Sequence, residues 1–398
     1  MSDFILYNAR LIQPGYEMVS GYLHVVGDFI SSISPGEAPD DLKGERIDCD
    51  NQRLTPGLID IHTHGIHAFN YDRGSEHLAQ AAAVLGQYGT TSVVPTIVPS
   101  IGKDFLQSLD AFCRAIPSIT QVSIPGIHLE GPFVAITGAA CETRDGDVTL
   151  LNEMLDACHD RVAVMSIAPE VPNIIPVIER LVECGITPFI THTRASVEQT
   201  LAAMDAGATH ATHFYDVFPV PEETDPGVRP VGVVETILGD RRATCDFIAD
   251  GVHVHPMAIR AAIAAKGYGG VSLITDASFG AGLGPGVYET PWGYPVEVKP
   301  GNAPRIADPD HPMVGGLAGS ALTMDQGVNN LMQWLDLPEE HVWAMATRNP
   351  AGVIGAHKKG TLDAHTDADL VLWAEDDEGL KPIRTWVAGE TVYEAKRI

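Results

Sequence analysis

Residues able to do chemistry recur at the ends of apolar runs in this chain. His62 and His64 close GLIDIHTHG (57–65), and Glu130 closes VSIPGIHLEG (122–131). His192 lies in TPFITHT (187–193) and His213 in ATHATHFYD (208–216). Asp250 and His253 lie in TCDFIADGVH (244–253), and Asp276 in VSLITDA (271–277). Side chains at i and i+2 of a strand share a face, so His62 and His64 can bind one ion together. Imidazole and carboxylate donors suit zinc first, then iron, cobalt or manganese. A carboxylate after the apolar run SLIT must be paired, metal-bound or hydrogen-bonded, and beside a metal Asp276 can serve as general base. Its blander reading is a helix N-cap.

Some element must bring these residues together. Between 57 and 277, eight β-rich runs, the six above with TSVVPTIV (91–98) and VAVMSIAPE (162–170), alternate with helical stretches. EHLAQAAAVLGQYG, VEQTLAAMDAG and MAIRAAIAAKG show helical apolar spacing and stop at Gly. Eight βα units predict a (β/α)8 TIM barrel, in which active-site residues stand at the C-terminal ends of the strands. The residues above fall at those ends.

Both ends of the chain read differently. FILYNARLI, GYLHVVGDFISSISPG and ERIDCDNQRLTPG alternate with period two, as do GTLDAHTDADLVLWAED and PIRTWVAGETVYE. They predict a small β-sandwich from residues 1–54 plus 355–398, flanking a catalytic barrel over 55–354. The Gly- and Pro-rich stretch 280–300 predicts an insertion loop or hairpin after strand eight, and NNLMQWL (329–335) a core-facing helix. Trp292 and Tyr294 are expected to pack within that hairpin, with the substrate loop as the alternative.

The 398 residues carry 52 Asp and Glu against 25 Lys and Arg, a formal charge of −27, with no dense basic run. That balance argues against nucleic acid and anionic membranes and leaves a small molecule as the expected partner. No stretch approaches the roughly 18 apolar residues of a membrane span. MSDFILYNARL lacks a signal-peptide pattern. Six scattered cysteines (49, 113, 141, 158, 184, 245) predict free thiols in a cytoplasmic protein.

The motifs GLIDIHTHG, HLEGPF, THTRAS, THFYDVF, ADGVHVHP, ITDA, LAGSALTMDQGVNNL and NPAGVIG occur in an order that resembles the N-acetylglucosamine-6-phosphate deacetylases of the amidohydrolase superfamily. KKGTLDAHTDADLVLW resembles the closing strands of amidohydrolases generally. The resemblance implies that Glu130, His192 and His213 hold the principal metal, and that His62 and His64 can complete a second site, for one ion or two. It implies that Asp276 takes a proton from the attacking water and returns it to the leaving amine. His253 would bind substrate and polarise the scissile carbonyl, and the loop GGLAGS (315–320), with Leu317 and Ala318, would approach the sugar. It also implies a homodimer.

Three elements depart from the family's phosphate recognition. VAITGAACETRDGD (134–147) lacks the expected His, and Asp216-Val217 stands where Asn-Ala is usual. The resemblance also implies an Arg in the next loop that binds phosphate from a neighbouring subunit; in PEETDPGVRPVG (221–232), Arg229 is displaced among Glu222, Glu223 and Asp225. The expectation is therefore a deacetylase-like hydrolase whose substrate is not a sugar 6-phosphate, with Asp216, Val217 and Arg229 as substrate contacts and Arg194 or Arg144 as alternative phosphate ligands. Competing readings keep the barrel for a deaminase, a cyclic amidase or a phosphonate-pathway hydrolase. VAVMSIAPE has no bridging lysine, and the Glu130 motif differs from the deaminases. A non-catalytic scaffold is opposed by the filled ligand positions. His67, His128, His210, His255, His311, His341, His357 and His365 read as structural or exposed, with His128 a possible support beneath the ligands.

Overall fold

The computed structural model describes residues 3–16, 19–102, 104–137, 142–290 and 292–396. Cys141 and part of the 134–147 segment lie outside them. Eight parallel strands follow one another around a barrel: β1 (Leu58–Thr63), β2 (Thr90–Ile97), β3 (Ile127–Leu129), β4 (Val162–Ile167), β5 (Thr187–Ile190), β6 (His210–Ala211), β7 (Thr244–Ile248) and β8 (Val271–Ile274). Each pairs in parallel with the next in sequence, the helix between them carrying the chain back to start the next strand. Helices α1 (Ser75–Leu85), α2 (Phe105–Ala115), α3 (Val148–Ala157), α4 (Ile174–Glu183), α5 (Val197–Asp205), α6 (Val233–Gly239), α7 (Pro256–Lys266) and α8 (Met324–Trp334) follow the strands. All eight expected runs contain barrel strands. They read as unbroken apolar runs because helices cover one face and the barrel core fills the other: every residue of β2 is buried.

The seam between β1 and β8 is closed by side chain as well as backbone. Asp276 N–H donates to the His62 carbonyl (2.9 Å). The buried Asp60 carboxylate accepts from Thr275 N (3.2 Å) and Thr275 Oγ1 (2.5 Å). Burial pushes the Asp60 carboxyl up to about 7, against the pull of those hydrogen bonds.

The two ends of the chain share one sheet. Its order is Glu390–Glu394, Gly379–Val387, Leu370–Asp376, Arg53–Pro56, Phe4–Leu11, Val19–Val26, Phe29–Pro35, and Glu45–Asp48 also pairs with Phe4–Leu11. Strand Leu370–Asp376 serves two cores. Leu370 and Leu372 pack with Phe4, Leu6 and Trp386, whereas Val371 and Trp373 join the barrel core. After β8, the segment expected as a hairpin forms a three-stranded sheet, Gly286–Glu289, Pro295–Val298 and Arg305–Ile306.

Candidate metal centre

The polar ends of β1, β3, β5 and β6 converge at the barrel mouth. Glu130 is the hub. Its Oε1 lies 3.2 Å from His192 Nε2, 3.3 Å from His213 Nε2 and 3.6 Å from His62 Nε2. Its Oε2 lies 3.2 Å from His64 Nε2. Asp276 Oδ1 stands 3.5 Å from His62 Nε2 and 3.4 Å from His64 Nε2. Two groups, His62–Glu130–His213 and His62–His64–Asp276, have their donor atoms within 4.8 Å of one another.

The second nitrogen of three of the four rings shows which face is offered. His192 Nδ1 donates to the Ile136 carbonyl (2.9 Å) and His213 Nδ1 to the Asp216 carbonyl (3.2 Å). Thr212 gives its one hydroxyl proton to Asp246 Oδ1 (3.1 Å), so its oxygen accepts from His62 Nδ1 at 3.1 Å. These bonds fix each proton on Nδ1 and leave the Nε2 lone pairs facing carboxylate oxygens. His62 Nε2 is fully buried with no hydrogen-bond partner. Lone pairs aimed at lone pairs in a buried site call for a cation between them. The spacing agrees: ligands about 2.0–2.1 Å from a tetrahedral zinc lie roughly 3.3 Å apart. The residues present therefore fit a divalent ion.

Without an ion, protons take its place. Burial opposes charge on the His213 ring, but the Glu130 hydrogen bond and charge outweigh it and push the ring up to about 9. His64 rises well above its ordinary value against the same burial, through Asp276 and Glu130. Burial alone would raise the Glu130 carboxyl, yet the surrounding histidines hold it well below the carboxylate range.

Deeper in the barrel, Asp246 supports both halves of the cluster. Its Oδ1 accepts from His213 N (2.6 Å) and from Thr212, which holds His62. Its Oδ2 lies 2.9 Å from His210 Nε2. His128 packs edge-on to His62 (4.7 Å between centroids) and bonds to Ser166 Oγ (2.8 Å). The site also holds strained backbone: φ is 47° at His192, 35° at His213, 56° at Val217 and 47° at Asp276.

A cavity of about 620 Å³ opens above the cluster. His64, Glu130, His192, His213, Asp216, Val217, His253, Asp276, Leu317 and Ala318 line it, so most of the expected residues share one space. Arg229 does not. Its side chain is 85% exposed and lies 3.5 Å from Glu235, because the acidic, proline-bearing loop carries it into solvent. Arg194 and Arg144 do not line the cavity either, and Arg144 pairs with Glu142 (3.1 Å). Asp250 holds His253 by its Nδ1 (2.7 Å). Burial lowers the His253 pKa, but the hydrogen bond and charge of Asp250 raise it further, for a net rise. Gly319 (φ 70°) lets the 315–320 loop lie against Asp276: a Cβ there would fall 2.5 Å from Ser278 Cβ.

Sequence reasoning passed over Asn70, Asp72 and Met313, which also line the cavity. Trp292 and Tyr294 pack together as expected (5.9 Å) and line the cavity as well.

The pattern of the amidohydrolase family matches residues 53–392. The chain is similar to N-acetylglucosamine-6-phosphate deacetylase of Bacillus subtilis, 30% identical over 390 residues and covering 95% of each chain. It is 31% identical over 341 residues to the enzyme of that name from Lysinibacillus sphaericus, covering 82% of this chain and 83% of the other. Among solved structures, a mutant N-acetyl-D-glucosamine-6-phosphate deacetylase from Mycobacterium smegmatis, in complex with N-acetyl-D-glucosamine-6-phosphate, superposes with a TM-score of 0.84 at 29% identity, over 98% of this chain and 100% of that one. N-acetylglucosamine-6-phosphate deacetylase from Pasteurella multocida gives 0.85 at 26% identity, over 98% and 99%.

Proposed function

The chain belongs to the amidohydrolase family, and on that premise we propose that it removes the acetyl group from an N-acetylated amino sugar, with Asp276 moving the proton. It is a metal-dependent hydrolase of an amide bond. The observation that carries the reading is the convergence of three imidazole Nε2 atoms on Glu130 Oε1 at the floor of a ligand-sized cavity.

A divalent ion held by His62, His64, Glu130, His192 and His213 would lower the pKa of water from 15.7 towards about 7 and polarise a carbonyl. Asp276 lines the cavity beside His62 and His64, where its carboxylate takes the proton of the attacking water. The same carboxyl then returns that proton to the amine nitrogen, which leaves poorly unprotonated. His253, held by Asp250 and biased towards its cationic form, donates from Nε2 to the carbonyl oxygen as negative charge develops there. Leu317 and Ala318 close over the sugar.

We take zinc as the ion, since neutral imidazoles with a carboxylate are its ordinary donors. A homodimer in the cytoplasm completes the reading. Five of the cysteines are free thiols. No described helix is long and apolar enough to cross a membrane.

The test is metal content per chain together with acetate release from N-acetyl hexosamines and their 6-phosphates. We expect metal in both wild type and Asp276→Asn, and a loss of about 10²–10⁴ in kcat for the variant. No acetate from any of these sugars with metal-loaded enzyme would end the reading.

A further inference from the structure

Charge divides the cavity unevenly. Among the described residues that line it, four carboxylates (Asp72, Glu130, Asp216 and Asp276) face no lysine or arginine. Glu130 and Asp276 belong to the metal cluster. Asp72 and Asp216 do not, and both carboxyl groups line the space a substrate enters.

Asp216 is fixed in place by the metal ligand beside it. Its N–H donates to the His213 carbonyl (2.9 Å), and its own carbonyl accepts from His213 Nδ1 (3.2 Å). It shares the cavity lining with His213 and His253. Asp72 accepts from Val98 N (3.0 Å), and burial raises its carboxyl above the ordinary value against that bond and the nearby His64. Trp292, Tyr294 and Met313, from the insertion after β8, supply apolar and aromatic wall. Hydroxyls and carboxylates pair well, and aromatic faces cover sugar rings. A phosphomonoester carries about two negative charges near neutral pH and would meet like charge with no lysine or arginine among the described residues of this chain that line the cavity.

Resting on the deacetylase reading, we propose that the cavity selects an N-acetyl amino sugar without a phosphate, and that Asp216 is the residue that discriminates against the phosphate. Asp216 accepts sugar hydroxyls where a phosphate would be repelled. Arg229 and Arg144 are engaged with Glu235 and Glu142, and neither they nor Arg194 line the cavity.

The test compares N-acetylglucosamine and N-acetylgalactosamine with their 6-phosphates. It measures kcat/KM for the metal-loaded wild type and calorimetric binding to metal-loaded Asp276→Asn. At least one unphosphorylated sugar is expected to be favoured tenfold or more over its phosphate in both measurements, and Asp216→Asn to narrow that ratio at least tenfold. Equal or better use of the phosphates overturns the proposal. So does an unchanged ratio in Asp216→Asn whose metal content matches wild type. Were the phosphates preferred, loss of that preference in Arg229→Ala would trace it to the 221–232 loop. If no sugar is turned over, the deacetylase reading falls, while the order of binding to Asp276→Asn still decides the charge proposal.

Discussion

Asp246 shows how much of a metal site lies beneath its ligands. One buried carboxylate takes the backbone N–H of His213 and, through Thr212, sets the proton of His62. An amide in its place would turn an N–H₂ towards one of these donors. Asp246→Asn is therefore expected to weaken metal binding about 10–100-fold, read by chelator competition, while the circular dichroism stays native. Unchanged affinity would show that the rings hold themselves. His62, His64, Glu130, His192, His213 and Asp276 were legible in the sequence because each ends an apolar run, where a polar residue must have a reason. Asp246 was not, because it sits inside such a run and resembles any tolerated polar core residue; His210 read as structural, and it holds Asp246. Arg229 is exposed in the 221–232 loop, outside this chain's cavity: the sequence names a cation in a loop but carries no signal for where the loop points it.

Elements position these residues through contacts that periodicity does not encode. The run of eight strands was readable, since short β-branched runs bounded by Gly-stopped helices admit few architectures. The β1–β8 seam was not, because a carboxylate clasp such as Asp60 to Thr275 joins residues 215 apart. Likewise, the insertion was visible as a Gly- and Pro-rich stretch, but the arch that brings Trp292 to the cavity was not. Helix α8 offers a titration test. Burial pushes Asp325 in its first turn up to about 6, although Thr323 Oγ1 donates to it (2.6 Å). A carboxyl raised from the ordinary 3.8 contributes stability below about pH 4 and loses it as pH rises through 6. Asp325→Asn lacks that loss. Relative to wild type it should gain about 1–3 kcal/mol between pH 4 and pH 8 in denaturant melts. A difference independent of pH would remove Asp325 from the account.

For the whole molecule, the metal is a ligand of the folded state alone, since its donors come from the ends of four strands. At an ion concentration 100-fold above Kd it adds about 2.7 kcal/mol. Dialysis against chelator should lower Tm by several degrees and zinc should restore it; an unmoved Tm would mean that the cluster binds no ion. The acidic surface, at −27, concentrates cations around the barrel mouth and leaves selectivity to the donors.

The strand Leu370–Asp376 has a further consequence, in the order of events during synthesis. It pairs with Arg53–Pro56 on one side and Gly379–Val387 on the other, and Trp373 packs on Trp343 (5.0 Å) and donates to Thr55 Oγ1 (2.8 Å). None of these contacts can form until residues near 376 have left the ribosome. Until then the nascent barrel carries an uncovered indole-sized patch and an unpaired strand edge at Arg53–Pro56. The last strands therefore act as a late closing step, and the waiting edge is where a chaperone or a second nascent chain has its opportunity.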